Sequence, residues 1–174
     1  MRNLLLRSIP VIAILGISPV YAAELNVNWV APEDFTDVKP VNENLNRFRE
    51  RTSTALEDFL TQLASELPPQ QKLAVTVTDL DLAGEVWPAS FVGFGNTGAD
   101  VRLVKRVYIP RMTFSYSLID ETGALVKEAE VKLKDMSFMD GVSSIIKDKP
   151  LGYEKHMLKE WFNNEFKPEL SASL

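Results

Sequence analysis

Met112-Thr-Phe-Ser-Tyr-Ser-Leu118, the turn Asp120-Glu-Thr-Gly123, and Leu125-Val-Lys-Glu-Ala-Glu-Val-Lys-Leu-Lys134 decide the fold class. In the first segment Met112, Phe114, Tyr116 and Leu118 alternate with Thr113, Ser115 and Ser117. In the second, Leu125, Ala129, Val131 and Leu133 alternate with Glu128, Glu130, Lys132 and Lys134. A period of two puts the apolar side chains on one side of a ribbon and the wet ones on the other. The pattern predicts an antiparallel hairpin in a sheet covered on one face only.

Upstream, Lys72 to Leu82 reads as a second strand, with Leu73, Val75 and Val77 in phase. Leu25 to Val30 reads as a first strand, with Leu25, Val27 and Trp29 on one side. Between them lies a loop around Pro32 and Pro40. From Asn42 to Leu67 the residues Leu45, Phe48, Ala55, Leu56, Phe59, Leu60, Leu63 and Leu67 then fall at helical spacing, and Pro68-Pro69 stops the helix. A strand, a helix and a strand in one sheet imply a parallel crossover. Glu85 to Lys105 reads as a glycine-rich excursion and Met136 to Lys149 as irregular chain. Pro150 opens a last helix carrying Tyr153, Met157, Leu158, Trp161 and Phe162 on one face, ended by Pro168. The order β-α-β-β-β-α predicts a single α+β domain over residues 23–174. Its sheet is mostly antiparallel, with about four strands and two helices on one face.

Residues 1–22 are outside that domain. Arg2 and Arg7 precede the apolar run Ile9 to Ile17, and Val20-Tyr21-Ala22 closes it with a small-residue cleavage pattern. That is the layout of a secretory signal peptide, and the run is too short to span a bilayer. The expectation is export to a periplasm, with outright secretion as the alternative. The formal charge of −5 becomes more negative once the two arginines are removed. Such a surface argues against nonspecific binding to nucleic acid or anionic lipid. The chain has no cysteine, so a thiol nucleophile, a Cys-ligated zinc and a lipidated cysteine are all ruled out. No transmembrane anchor, lipid anchor or cofactor is expected.

Several patterns invite a chemical reading. Gly93-Phe-Gly95-Asn-Thr-Gly98 spells the dinucleotide fingerprint, but it leads into a strand instead of opening a helix, so it reads as a loop. Asp79 and Asp81 continue the side of the strand that holds Leu73, Val75 and Val77, where carboxylates are costly. Either a bulge flips the phase there, or the acids meet an ion-pair partner or a hard cation. His156, the only histidine, reads as a surface residue; as a general base it would need an acid such as Asp79 or Asp81 beside it. Arg102, Lys105, Arg106 and Arg111 surround Tyr108, a basic segment that reads as strand-edge protection against aggregation, with an anionic-ligand site as the alternative. The early helix arginines Arg47, Arg49 and Arg51 read as solvated or paired with Glu43, Glu50 or Glu57. Phe91, Val92, Phe94, Phe138, Met139, Ile145 and Ile146 read as core folded over the sheet end, with a partner patch as the alternative.

Several runs together resemble a known family. They are Glu50-Arg51-Thr52, Leu67-Pro-Pro69, Asp79-Leu-Asp-Leu-Ala-Gly84, Ile109-Pro-Arg111, Lys134-Asp-Met136 and Tyr153-Glu-Lys-His-Met-Leu-Lys-Glu-Trp-Phe162. In this order they resemble the bacterial exported family catalogued as "domain of unknown function 3016", over nearly the whole chain after the signal. The resemblance implies a small envelope protein and supplies no activity, cofactor or catalytic residue. The function expected is a noncatalytic periplasmic binding or assembly module, holding an envelope protein or an anionic ligand by its loop ends or sheet face. The alternative is a hydrolase or metal-dependent enzyme centred on Asp79 and Asp81.

Overall fold

The computed structural model describes residues 23–93, 98–140 and 149–172. The signal segment, the middle of the Gly93–Gly98 spelling, and Phe94, Ile145 and Ile146 lie outside the described residues. The strands are β1 (Glu24–Trp29), β2 (Lys72–Asp81), β3 (Glu85–Pro88), β4 (Asp100–Leu103), β5 (Arg111–Ile119) and β6 (Leu125–Lys134). The main sheet has the order β1-β2-β5-β6. Strand β1 runs parallel to β2, and the two remaining pairings are antiparallel. The helices are α1 (Leu45–Ala64), the crossover between β1 and β2, and α2 (Gly152–Ala172). This is the α+β architecture that the hairpin pattern predicts. The pattern does not predict the two-stranded ribbon that β3 and β4 form inside the glycine-rich excursion.

Helix α1 starts at Leu45, three residues later than the apolar spacing suggests, because the side chain of Asn44 accepts from the Arg47 amide and caps it. Its buried residues Thr52, Leu56, Leu60, Leu63 and Ala64 follow the helical repeat. Helix α2 runs on past Pro168, since a proline removes one backbone donor without necessarily ending a helix. Both helices pack on the sheet face that carries Leu73, Val75, Val77, Met112, Phe114, Tyr116 and Leu118. Trp161 of α2 meets the ring of Phe114 edge-on at 4.8 Å and that of Tyr116 at 5.5 Å. Tyr116 then donates its hydroxyl to Glu165 at 2.6 Å, which ties α2 to the centre of the sheet.

Strand β2 contains the bulge. Val77 pairs with Phe114 and Asp79 with Thr113, so Thr78 is an extra residue. The phase flips there: Leu73, Val75 and Val77 are buried before the bulge, Leu80 and Leu82 after it. Asp79 and Asp81 are thereby turned away from the apolar core.

Candidate functional site

The far end of β2 is where the charged residues singled out by sequence converge. After β1 the chain turns through Ala31, whose φ is 48°, and a short 3-10 turn at Pro32–Asp34. It then rejoins β2, with Asp37 bridging to Asp81. This return places Thr36 against Asp79, whose two carboxylate oxygens accept from the Thr36 amide at 2.8 Å and the Thr36 hydroxyl at 2.9 Å. Asp81 accepts from Arg111 at 2.7 Å. Burial nevertheless raises the Asp81 pKa, helped by the nearby carboxylates Asp37 and Asp79 and opposed by the Arg111 contact.

Arg102 holds this end of the molecule together. Its guanidinium donates to Asp37 at 2.9 Å and to the carbonyls of Lys39 at 2.8 Å, Gly84 at 3.1 Å and Ala83 at 3.3 Å. The ribbon brings it there. Gly84, at φ +85°, lies so close to β4 that a Cβ would come within 2.8 Å of the Leu103 carbonyl oxygen. Only glycine allows that approach.

The same cluster includes an acid that the sequence reading missed. Glu154 is 3% exposed and accepts from the Ala83 amide at 2.7 Å. Burial raises its pKa, against the stabilising Ala83 hydrogen bond and the charge of Arg102. A signal for it did exist: Glu154 stands one helical turn before Met157 and Leu158 and two before Trp161, a position on the apolar stripe. Asp37, which lies in irregular chain, offered no such pattern.

The structure divides the basic segment. Arg102 and Arg111 are taken up by Asp37 and Asp81. Arg106 lies elsewhere, in a two-pronged exposed contact with Asp140. Tyr108 stays near the cluster, where burial and then a hydrogen bond to Glu85 raise its pKa. Lys105 is exposed and takes no part in the cluster. Of the helix arginines, Arg51 pairs with Glu43, and Arg49 donates to the Glu33 carbonyl. Two clefts flank the Asp37–Arg102 bridge. One, of about 360 Å³, is lined by Thr36, Asp37, Asp81, Tyr108 and Arg111. The other, of about 270 Å³, is lined by Phe48, Arg51, Thr52, Arg102, Leu151 and Glu154. His156 lines neither, so the structure does not bring it to the acids as a base requires. Among the described residues no group of three or more acidic or histidine side chains is placed to hold a metal ion. Phe138 is buried against Tyr153, as the core reading expects, while Phe91 is 78% exposed.

Comparison with known families matches residues 23–164 to one described as "Protein of unknown function (DUF3016)". The chain belongs to this DUF3016 family. The matched span contains every strand among the described residues, α1, Arg102, Asp37 and Glu154. No curated protein and no solved structure matches the chain. Among the described residues, no helix of this DUF3016 protein is long and apolar enough to cross a membrane.

The other open region is the sheet face opposite the helices. Its side chains are small: Ala74 and Thr76 on β2 lie opposite Ser117 and Ser115 on β5, which in turn face Glu128 and Glu130 on β6. They line a shallow, open concavity of about 600 Å³. Among the described residues nothing packs on this face.

Glu154 makes stability depend on pH. Because its folded pKa lies above the unfolded value, it contributes stability that is fully present below the unfolded pKa and lost as pH rises through the folded one. Glu154→Gln keeps an acceptor for the Ala83 amide and removes the ionisation. Melting temperatures measured from about pH 4 to pH 8 are expected to shift in favour of the variant as pH rises. Parallel profiles for the two proteins would contradict this.

Proposed function

We propose that this DUF3016 protein is an exported, noncatalytic binding or assembly module of the cell envelope, docking a partner protein on its uncovered sheet face. The observation that carries the reading is the asymmetry of the sheet. Two helices bury one face, and the other presents Ala74, Thr76, Ser115 and Ser117 in an open concavity. Small hydroxyl-bearing side chains allow close approach of another backbone, while Glu128 and Glu130 at the rim supply charge. The signal-like residues 1–22 support the envelope location.

The enzyme reading has less support. Both oxygens of Asp79 are engaged by Thr36, Asp81 is engaged by Arg111, and Arg102 is spent on Asp37. Those contacts make the end of β2 a structural joint.

A photocrosslinking amino acid at Ser115 or Thr76, expressed in the exporting cell, is expected to form a discrete protein adduct. The same group at the exposed Glu57 of α1 should form none. Asp79→Asn and Asp81→Asn should leave the adduct intact while lowering the melting temperature. Equal labelling from face and helix, or loss of a cellular phenotype through the Asp variants at unchanged stability, would overturn the proposal.

A further inference from the structure

The outer edge of β6 is a second unpartnered part of the sheet, distinct from its face. Among the described residues β6 pairs only with β5, so ten residues, Leu125–Lys134, present one free row of backbone donors and acceptors. Edges of that length recruit other strands, and proteins commonly guard them with charged side chains, lysine above all. The order here is different. On the open face β6 carries Glu128 and Glu130 and then Lys132 and Lys134, an acidic half followed by a basic half. None of these four has an ion-pair partner among the described residues.

We propose that this edge is a self-association surface, taken by β6 of a second copy in antiparallel pairing with Val131 on the two-fold axis. In that register Glu130 faces the partner's Lys132, and Glu128 faces the partner's Lys134. Symmetry doubles both pairs. Moving the axis by one or two residues along the strand sets Glu against Glu or Lys against Lys, and like charges directly opposite are destabilising. On the helix side Ala129 meets the partner's Leu133. One register thus satisfies both faces, and the two open sheet faces join into one continuous surface. Self-association through the edge stands or falls separately from partner docking on the face.

Sedimentation of the purified chain tests it. The wild type is expected to dimerise reversibly. Glu128→Lys with Glu130→Lys makes the edge wholly basic, and Lys132→Glu with Lys134→Glu makes it wholly acidic. Each variant alone should associate at least about a hundredfold more weakly, with an unchanged circular dichroism spectrum, and an equimolar mixture should restore a dimer of one copy of each. Val131→Cys provides an independent reading in a chain that has no cysteine. It is expected to close a disulfide between copies, whereas Ser117→Cys is not. A wild type that stays monomeric at about 1 mM, charge variants that dimerise as it does, or equal crosslinking from both cysteines would overturn the proposal.

Discussion

Arg102→Ala is expected to lower stability by about 3 kcal/mol, a fall in melting temperature of about 10 °C for a domain of this size. The guanidinium and the Asp37 carboxylate are largely buried, with side-chain exposures of 19% and 12%. A pair of this kind adds little net stability, because desolvation offsets most of the attraction. Breaking it from one side is different. Alanine leaves the Asp37 charge in place without a counterion and strips a donor from the carbonyls of Ala83, Gly84 and Lys39. Lysine should recover less than half of the loss, since one ammonium cannot reach a carboxylate and three carbonyls arranged around a planar fork. Replacing both partners, Asp37→Val with Arg102→Met, should be less damaging than Arg102→Ala, because no buried charge is left alone. If Arg102→Ala melts within about 2 °C of the wild type, the bridge is not a structural joint.

That joint also marks where the sequence stops being readable. The alternation in Met112 to Leu133 specified the hairpin and its single covered face, because a period of two is local and needs no knowledge of neighbours. The conflict at Asp79 and Asp81 was legible for the same reason. Carboxylates on an apolar phase signal that the phase must change, and Thr78 is the residue that changes it. The partners were not legible. Arg102 reaches Asp37 across 65 positions, and only the turn at Ala31 and the close approach at Gly84 bring the two together. Arg102, Arg106 and Arg111 form one basic segment in sequence, but their side chains leave the chain in different directions, toward Asp37, Asp140 and Asp81. The ribbon escaped notice because strands of four residues give too short a pattern to separate from a loop. Of the candidate docking surface, the sequence carried half: it named Ser115 and Ser117 as solvent-facing, but not the Ala74 and Thr76 that adjoin them.

Trp161→Ala is expected to cost about 4 kcal/mol, a fall in melting temperature of about 12 °C and a larger loss than that from Arg102→Ala. Trp161 is 7% exposed and stands at the centre of an aromatic group. Its ring meets Phe114 at 4.8 Å, Tyr116 at 5.5 Å, Phe166 at 5.7 Å and Phe162 at 6.3 Å. Removing it empties space between α2 and the central strand β5, and rings held on two rigid elements cannot collapse far into the gap. Phenylalanine at the same position should cost only about 1 kcal/mol. It keeps most of the ring contact, and the indole N–H that it removes is buried without a hydrogen-bond partner among the described residues, so no bond is lost. The two substitutions also separate scaffold from surface. Ser115 and Ser117 alternate with Phe114 and Tyr116 on the same strand, so disorder in the aromatic layer is transmitted directly to the docking face. At a temperature where Trp161→Ala remains folded, crosslinking from Ser115 should therefore weaken, while Trp161→Phe should retain it. Full crosslinking in the alanine variant would mean that the face does not depend on the packing behind it.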